Sequence, residues 1–315
     1  MEVVEAIHCL APPHGSAVTI GSYDGVHLGH RLLLDRLVLE AHSRGISPTV
    51  VTFDRHPASV VRPDSAPPLL VDKDQKLELL AQAGIERTLI VSFDERQSKE
   101  SPEDFLQRIL IGALDARLVM VGENFRFGFE RRGDLDLLTK FGNDHGFEVI
   151  PVELASKGEY PVSSTRIRRL IVDGEIAEAN SLLGYDFQVR GEVVHGDGRG
   201  RVELGFPTAN ILVSPQIVPV KAGIYAAVYE RPDSSRYIAA VSVGHRPMFD
   251  HDPSNHSSYV IEAFLLDFEG DLYREEAKLS FVARLRDQLV FDSLEDLIAQ
   301  MNLDVIEAKS ILMRN

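Results

Sequence analysis

The sequence predicts two domains of different class: an α/β domain built on a parallel sheet, then an antiparallel β-barrel closed by a terminal α-helix. Three observations carry this. The first half alternates short β-branched runs with amphipathic stretches, the pattern of strands joined by covering helices. From Gln188 to Phe281 the alternation changes to period two, with turn residues and no helical pattern between the runs, as in small barrels. The chain has 315 residues, a length that favours about two domains.

In the first half, strands are expected at 17–20, 49–53, 87–91, 118–121 and 148–152. Leu32, Leu33, Leu37 and Ala41 recur at helical spacing after the first strand, and Phe105, Ile109 and Leu110 before the fourth. Ligands of such sheets lie at the carboxyl ends of the strands. The segments 21–30, 54–56 and 122–128 each follow a strand directly, so they are expected to gather at one end of the sheet. The pattern changes near Leu183. Further strands are expected at 188–194, 223–229, 237–243, 259–268 and 277–281. Ser293 with Asp296 makes a capping box ahead of a last helix whose apolar face holds Leu294, Leu297, Ile298 and Met301. The boundary falls within 183–187, giving domains 1–184 and 185–315.

Composition bounds the function. The formal net charge is −15, which disfavours general nucleic-acid binding, although a small anion can still be held where basic groups and helix N-termini converge. No stretch approaches the roughly 18 apolar residues of a membrane span. The N-terminal residues carry acids where a secretory signal would carry bases. Cys9 is the single cysteine, so no intrachain disulfide is possible, which fits a reducing, cytoplasmic setting. Small-molecule partners are therefore expected, with neither nucleic acid nor membrane. Nothing in the sequence marks an oligomeric state.

The string Gly21-Ser-Tyr-Asp24-Gly25-Val-His27-Leu-Gly29-His30 follows the first strand and opens the first long helix. Its glycines permit tight turns and close approach of a ligand to the backbone. The helix start presents free N–H groups and partial positive charge. Two imidazoles three residues apart can point the same way and hydrogen-bond phosphate oxygens as charge develops. A glycine-rich turn with two satisfied surface histidines, or a zinc pair with its third ligand elsewhere, are the other readings of these residues. No Gly-x-x-x-x-Gly-Lys-Ser/Thr loop is present, which excludes a P-loop ATPase. In Ser163-Ser164-Thr165-Arg166-Ile167-Arg168, hydroxyls at a helix start can cap it or donate to phosphate, and Arg166 and Arg168 add charge-assisted contacts. Alone, the string reads equally as a capped helix with a solvated basic face.

The second half opens with Gly191-Glu-Val-Val-His195-Gly196-Asp-Gly198-Arg199-Gly200-Arg201, whose glycines and arginines can wrap phosphates with backbone N–H groups. In Gly205-Phe-Pro207-Thr208-Ala209-Asn210-Ile211, a hydroxyl and an amide oxygen two residues apart suit a hard cation such as Mg2+ that also touches phosphates. A Pro-Thr turn and an Asn-terminated strand explain the same letters.

Taken together, these strings resemble the bacterial bifunctional riboflavin kinase/FAD synthetases and, more widely, nucleotidylyltransferases with a His-x-Gly-His signature. The resemblance extends to Val51-Thr-Phe-Asp54 with His56-Pro57, to Gly122-Glu-Asn124-Phe125-Arg126-Phe127-Gly128 on the flavin side, to the string at 163–168, and to Pro-Thr-Ala-Asn in the second half. It implies a Rossmann-like nucleotidylyltransferase domain that converts FMN and ATP to FAD and pyrophosphate, and a kinase domain that converts riboflavin and ATP to FMN. By carry-over, His27 and His30 hold ATP phosphates, with Gly21, Asp24, Gly25 and Gly29 shaping their turn. Asn124 orients the substrates, and Ser164, Thr165, Arg166 and Arg168 steady the triphosphate. Phe53, Phe125 and Phe127 are either ring-packing residues or core. In the kinase, Thr208 and Asn210 bind magnesium and ATP phosphates, Gly198 and Arg201 line the phosphate loop, Glu262 takes the proton from the ribityl 5′-hydroxyl, and Arg286 contacts flavin or phosphate. On its own residues Glu262 also reads as an outward polar side chain on an alternating strand.

The chain departs from the family pattern at several positions. Tyr23 replaces a usual Phe. Ser242 and Met248 replace Asn and Thr, Arg274 replaces a common Gly, and Gln288 and Val290 replace charged residues. Most of these surround the kinase site and can alter its nucleotide affinity or rate. Three other functions remain compatible with the sequence: an adenylyltransferase with an impaired kinase, a non-catalytic flavin-binding regulator, and a nucleotidylyltransferase for another phosphorylated acceptor.

Overall fold

The computed structural model describes residues 1–5, 12–153, 156–157, 160–195, 208–245 and 259–313. The chain divides into two compact units, Met1–Ser164 and Thr165–Asn315.

The first unit is a six-stranded parallel sheet. Its strands are β1 (Glu2–Val4), β2 (Ser16–Ile20), β3 (Ser47–Phe53), β4 (Arg87–Val91), β5 (Ala116–Gly122) and β6 (Glu148–Val152), in the order β1-β4-β3-β2-β5-β6. The five expected strands are all present. The added β1 is three residues long, too short to show a pattern in the sequence. Central strands read as continuous apolar runs, not alternations, because both faces are covered. Val18, Val51 and Val119 pack on one side with Phe105, Leu106 and Ile109, while Ala17, Val50 and Leu118 pack on the other with Leu34, Leu37 and Ala41.

The covering helices are α1 (Leu28–Arg44), α2 (Ala58–Val61), α3 (Lys73–Gln82), α4 (Glu95–Ser98), α5 (Pro102–Leu106), which continues as a π-helical segment Gln107–Ala113, and α6 (Leu135–His145). The buried face of α1 runs through Leu34, Leu37 and Ala41, and Leu32 is 51% exposed. The leucine run 32–34 fits two helical registers, and the cap at His27 selects the one that turns Leu34 inward. A short antiparallel pair, β7 (Ser156–Lys157) with β8 (Tyr160–Pro161), follows the sheet. Strand order reverses between β2 and β5, so the crevice at their carboxyl ends is the topological switch point where ligands of such sheets bind.

The second unit begins with α7, which spans Ser164–Asp173 and so starts at the unit boundary, and α8 (Ile176–Leu183). A closed barrel follows: β9 (Phe187–Val194), β10 (Thr208–Val213), β11 (Gly223–Glu230), β12 (Arg236–His245), β13 (Tyr259–Leu265) and β14 (Glu276–Arg286), in the order β10-β13-β12-β11-β14-β9 with β9 paired back to β10. All pairs are antiparallel. Five strands were expected. The sixth, β10, is the segment that reads as a Pro-Thr turn and an Asn-terminated strand. Phe187, Tyr225, Tyr229 and Phe281 are the largest fully buried side chains of the barrel.

The last helix, α9 (Leu294–Leu312), is capped as expected: the Ser293 hydroxyl accepts from the Asp296 N–H at 3.1 Å. Its buried positions are Asp304 and Ala308, with Leu297, Ile298 and Met301 half-buried and Leu294 exposed. The cap leaves Leu294 in the first turn, beyond the edge of the barrel-facing stripe. Among the described residues, no helix is long and apolar enough to cross a membrane.

Candidate functional site

Segments 21–30, 54–56 and 122–128 follow β2, β3 and β5, which are neighbours in a parallel sheet. They therefore emerge side by side at one end, as expected. The turn after β2 bends sharply. Tyr23, Gly25 and Val26 have φ of 48°, 84° and 34°. Val26 is β-branched and buried, so its left-handed backbone stores strain of roughly 1–3 kcal/mol. Surrounding contacts hold the turn in place. The Tyr23 hydroxyl and Thr19 Oγ1 lie 2.6 Å apart. The buried Asp24 carboxylate accepts from the Leu70 N–H at 2.9 Å and the Val71 N–H at 3.4 Å, while its carbonyl accepts from Ser164 Oγ at 2.9 Å. Tyr23, the departure from the usual Phe, thus uses its added hydroxyl behind the turn.

His27 caps α1, its Nδ1 accepting from the His30 N–H at 3.3 Å. An accepting Nδ1 carries no proton, so the neutral ring presents its N–H at Nε2. The two imidazoles stack with centroids 3.7 Å apart and planes at 15°. Burial holds the His30 pKa well below the usual imidazole range, so His30 is neutral near pH 7. Its Nδ1 is buried without a hydrogen-bond partner. Gly29 is needed for this stack, because a Cβ there would lie 3.1 Å from the His27 ring and 3.2 Å from the Val162 carbonyl.

At the end of β3, the Asp54 carboxylate accepts from the Phe93 N–H at 2.9 Å and Ser92 Oγ at 3.2 Å. Burial pushes its pKa up, but these bonds and Arg55 outweigh that and leave it lowered. His56 Nδ1 accepts from the Ala58 N–H at 3.1 Å and so serves the start of α2. At the end of β5, Asn124 is exposed in the turn that follows Gly122. Phe127 is core, Phe125 stacks on it at 5.2 Å, and Phe53 borders the same cluster. Beside Asp54, Lys76 of α3 donates to Thr52 Oγ1 at 3.3 Å and to the Phe53 carbonyl at 3.1 Å. Sequence reasoning missed this lysine, which sits in a run that looks like a solvated helix face.

The string at 163–168 straddles the unit boundary. Ser164 is bonded to the turn at Asp24. Thr165 is exposed, Arg166 pairs with Glu178 of α8 at 2.8 Å, and Arg168 is half-buried on α7.

In the second unit the candidate residues form a row across strands. Asn210 on β10 pairs with Glu262 on β13, which pairs with Ser242 on β12. Directly paired residues share a face. Ile261 and Ala263 point into the barrel and Glu262 is exposed, so Asn210, Glu262 and Ser242 lie on the outer surface, with Thr208 two residues along β10. Arg286 on β14 lies one strand further on, paired with Ile224 of β11, which pairs with Ser242. Its fork is engaged by Asp304 of α9, at 2.8 and 2.6 Å, and its Nη1 donates to the Asp287 carbonyl at 2.9 Å. Arg274 has φ 66°, which explains why glycine is common at that position. Gln288 Nε2 donates to the Val243 carbonyl at 3.0 Å, and Val290 is fully exposed. Gly198, Arg201, Met248 and Cys9 lie outside the described residues. Among the described residues, no group of three or more His, Cys, Asp or Glu is placed to hold a metal ion.

Comparison with known proteins adds to this geometry. A family model for FAD synthetase matches residues 10–166, and one for riboflavin kinase matches residues 183–312. The chain is 35% identical to a bifunctional riboflavin kinase/FMN adenylyltransferase of Escherichia coli K12, covering 98% of this chain and 97% of the other. It is 34% identical to a protein of the same description from Pseudomonas fluorescens, covering 99% and 98% of the two chains. A crystal structure of a Streptococcus pneumoniae protein described as a macrolide-efflux protein superimposes with a TM-score of 0.86 at 28% identity, covering 98% of both chains. That description belongs to the Streptococcus protein, and what the likeness carries here is the fold.

Proposed function

The chain belongs to the family of bifunctional riboflavin kinase/FMN adenylyltransferases, and we propose how its own residues divide the two reactions. It phosphorylates riboflavin with ATP and adenylylates FMN with ATP to FAD. We assign adenylyl transfer to 1–184 and phosphorylation to 185–315, a division supported by the family-model edges at 166 and 183. A cytoplasmic setting follows from the substrates.

The observation that carries the first assignment is the stacked histidine pair, His27 buried and His30 half-buried, at the switch point of the sheet. In adenylyl transfer a phosphate oxygen of FMN attacks the α-phosphorus of ATP and pyrophosphate leaves, so the protein positions groups and stabilises charge. Neutral His27 donates from Nε2 to phosphate oxygens, and His30 lies stacked beside it. The glycines at 21, 25 and 29 let the backbone approach, and Asp24 anchors the turn. Asn124, exposed at the end of β5, orients the substrates. Ser164, Thr165, Arg166 and Arg168 steady the triphosphate.

In the kinase, Glu262 accepts the proton of the ribityl 5′-hydroxyl as that oxygen attacks the γ-phosphate. Its exposure on the outer face leaves it open to a substrate. Thr208 and Asn210 place hard oxygen donors beside it, a set that fits Mg2+. When bound, the cation would neutralise phosphate charge. Gly198 and Arg201 contact phosphates. Arg286, anchored by Asp304, borders this row through Ile224 and contributes its charge toward flavin or phosphate.

Chromatography of the products from riboflavin, ATP and magnesium over time tests the assignment. FMN should appear before FAD. Absence of FMN would sink the kinase, and unchanged FAD formation by His30→Ala from supplied FMN would sink the role given to the histidine turn.

A further inference from the structure

Lys76 is a cation to which neither reaction, as assigned above, gives a role. It lies on the first turns of α3, half-buried, with two of its three donors on Thr52 and on the carbonyl of Phe53 at the carboxyl end of β3. The segment that enters α3 is tied to the turn, and α3 itself is tied to α1. Asp24, three residues before His27, binds the N–H groups of Leu70 and Val71 just ahead of α3. Arg31, one residue after His30, donates to the Leu79 carbonyl at 3.2 Å.

This arrangement poses an electrostatic problem. Asp24 is buried, with 4% exposure, within the turn that is to meet a polyphosphate. A buried carboxylate repels such a ligand unless a positive charge offsets it. His30 supplies none, since burial keeps it neutral. The Lys76 ammonium is within electrostatic reach of both Asp24 and Asp54, whose pull opposes the effect of its own burial.

We infer that Lys76 is a positioning residue of the adenylyl-transfer site: its ammonium offsets the buried Asp24 carboxylate within the histidine turn and clamps the end of β3, so that the turn accepts the ATP triphosphate. The inference rests on the placement of adenylyl transfer at this turn.

The test uses the full chain, with ATP as the varied substrate and FMN supplied. Lys76→Met should raise KM for ATP by about tenfold or more, with a smaller change in kcat, because a charge offset acts on anion affinity. Lys76→Arg should stay within about threefold of the parent, since it keeps the charge. The double variant Asp24→Asn/Lys76→Met should recover most of the ATP affinity, because both the charge and its offset are gone. A purely structural lysine would not show that recovery. Riboflavin phosphorylation by the same preparations checks that the chain is intact. Unchanged KM in Lys76→Met would overturn the inference, and so would a double variant no better than the single one. His30→Ala separates the failures: if it leaves FAD formation intact, the reading of the turn is wrong, whereas its loss beside an unaffected Lys76→Met condemns only the lysine.

Discussion

The two active regions are built by opposite means. In the parallel sheet, three loops leaving adjacent strands converge at one end, and the histidine turn among them is capped and locally strained. In the barrel, Asn210, Glu262 and Ser242 are aligned by strand register alone, on an outward face where each is at least partly open to solvent. A loop-built site depends on the contacts that pin each turn, whereas a register-built site depends on the ladder staying in phase. Substitutions should therefore act in different ways in the two places.

The largest expected effect separates the regions outright. Glu262→Gln should lower FMN formation by about 10²–10⁴-fold, while FAD formation from supplied FMN is unchanged. Parallel assays of the two steps would show it, and an equal fall in both would break the division of labour. Next comes the ladder itself. A Cβ on Gly191 would lie 2.1 Å from the Leu212 carbonyl across the β9–β10 pair. Gly191→Ala should cost about 1–3 kcal/mol of barrel stability, seen as FMN formation failing at a temperature where FAD formation from supplied FMN persists.

Smaller effects probe the turns. Arg274→Gly should stabilise the barrel by about 1 kcal/mol, because φ 66° suits glycine and strains arginine. Denaturant melts would show a raised midpoint. Tyr23→Phe should cost about 0.5–1.5 kcal/mol by removing the partner of Thr19. A fall in ATP affinity beyond what that loss explains would mean that the hydroxyl also stiffens the histidine turn.

The sequence makes the loop-built region the more legible of the two. Continuous β-branched runs mark β2 to β6 within a few residues, and the string from Gly21 to His30 declares its own place between a strand and a helix. It does not reveal that His30 is neutral or that Asp24 holds the segment ahead of α3, since both follow from long-range burial. Lys76 was invisible for the same reason. In Lys73-Asp-Gln-Lys76 its neighbours are polar, and only the docking of α3 turns it inward. In the barrel, Pro-Thr reads as a turn and Asn210 as the end of a strand, whereas β10 starts at Thr208 and runs on past Asn210 to Val213. The pairing of Asn210 with Glu262 is a property of register, which no single segment encodes. The resemblance implies a flavin or phosphate contact for Arg286, and the structure gives its fork to Asp304.

The barrel closes by pairing its first strand, β9, with its last, β14. During synthesis, residues from Phe187 onward wait with an open edge until Glu276–Arg286 has left the ribosome. Contacts so far apart in sequence make folding slow and leave little that can be completed stepwise. The strands of the parallel sheet lie earlier in the chain and pair without waiting for the barrel. In a cell, a nascent chain would present a finished parallel sheet while its barrel remained a client for chaperones, so heat or crowded translation should deplete the first step of the route before the second.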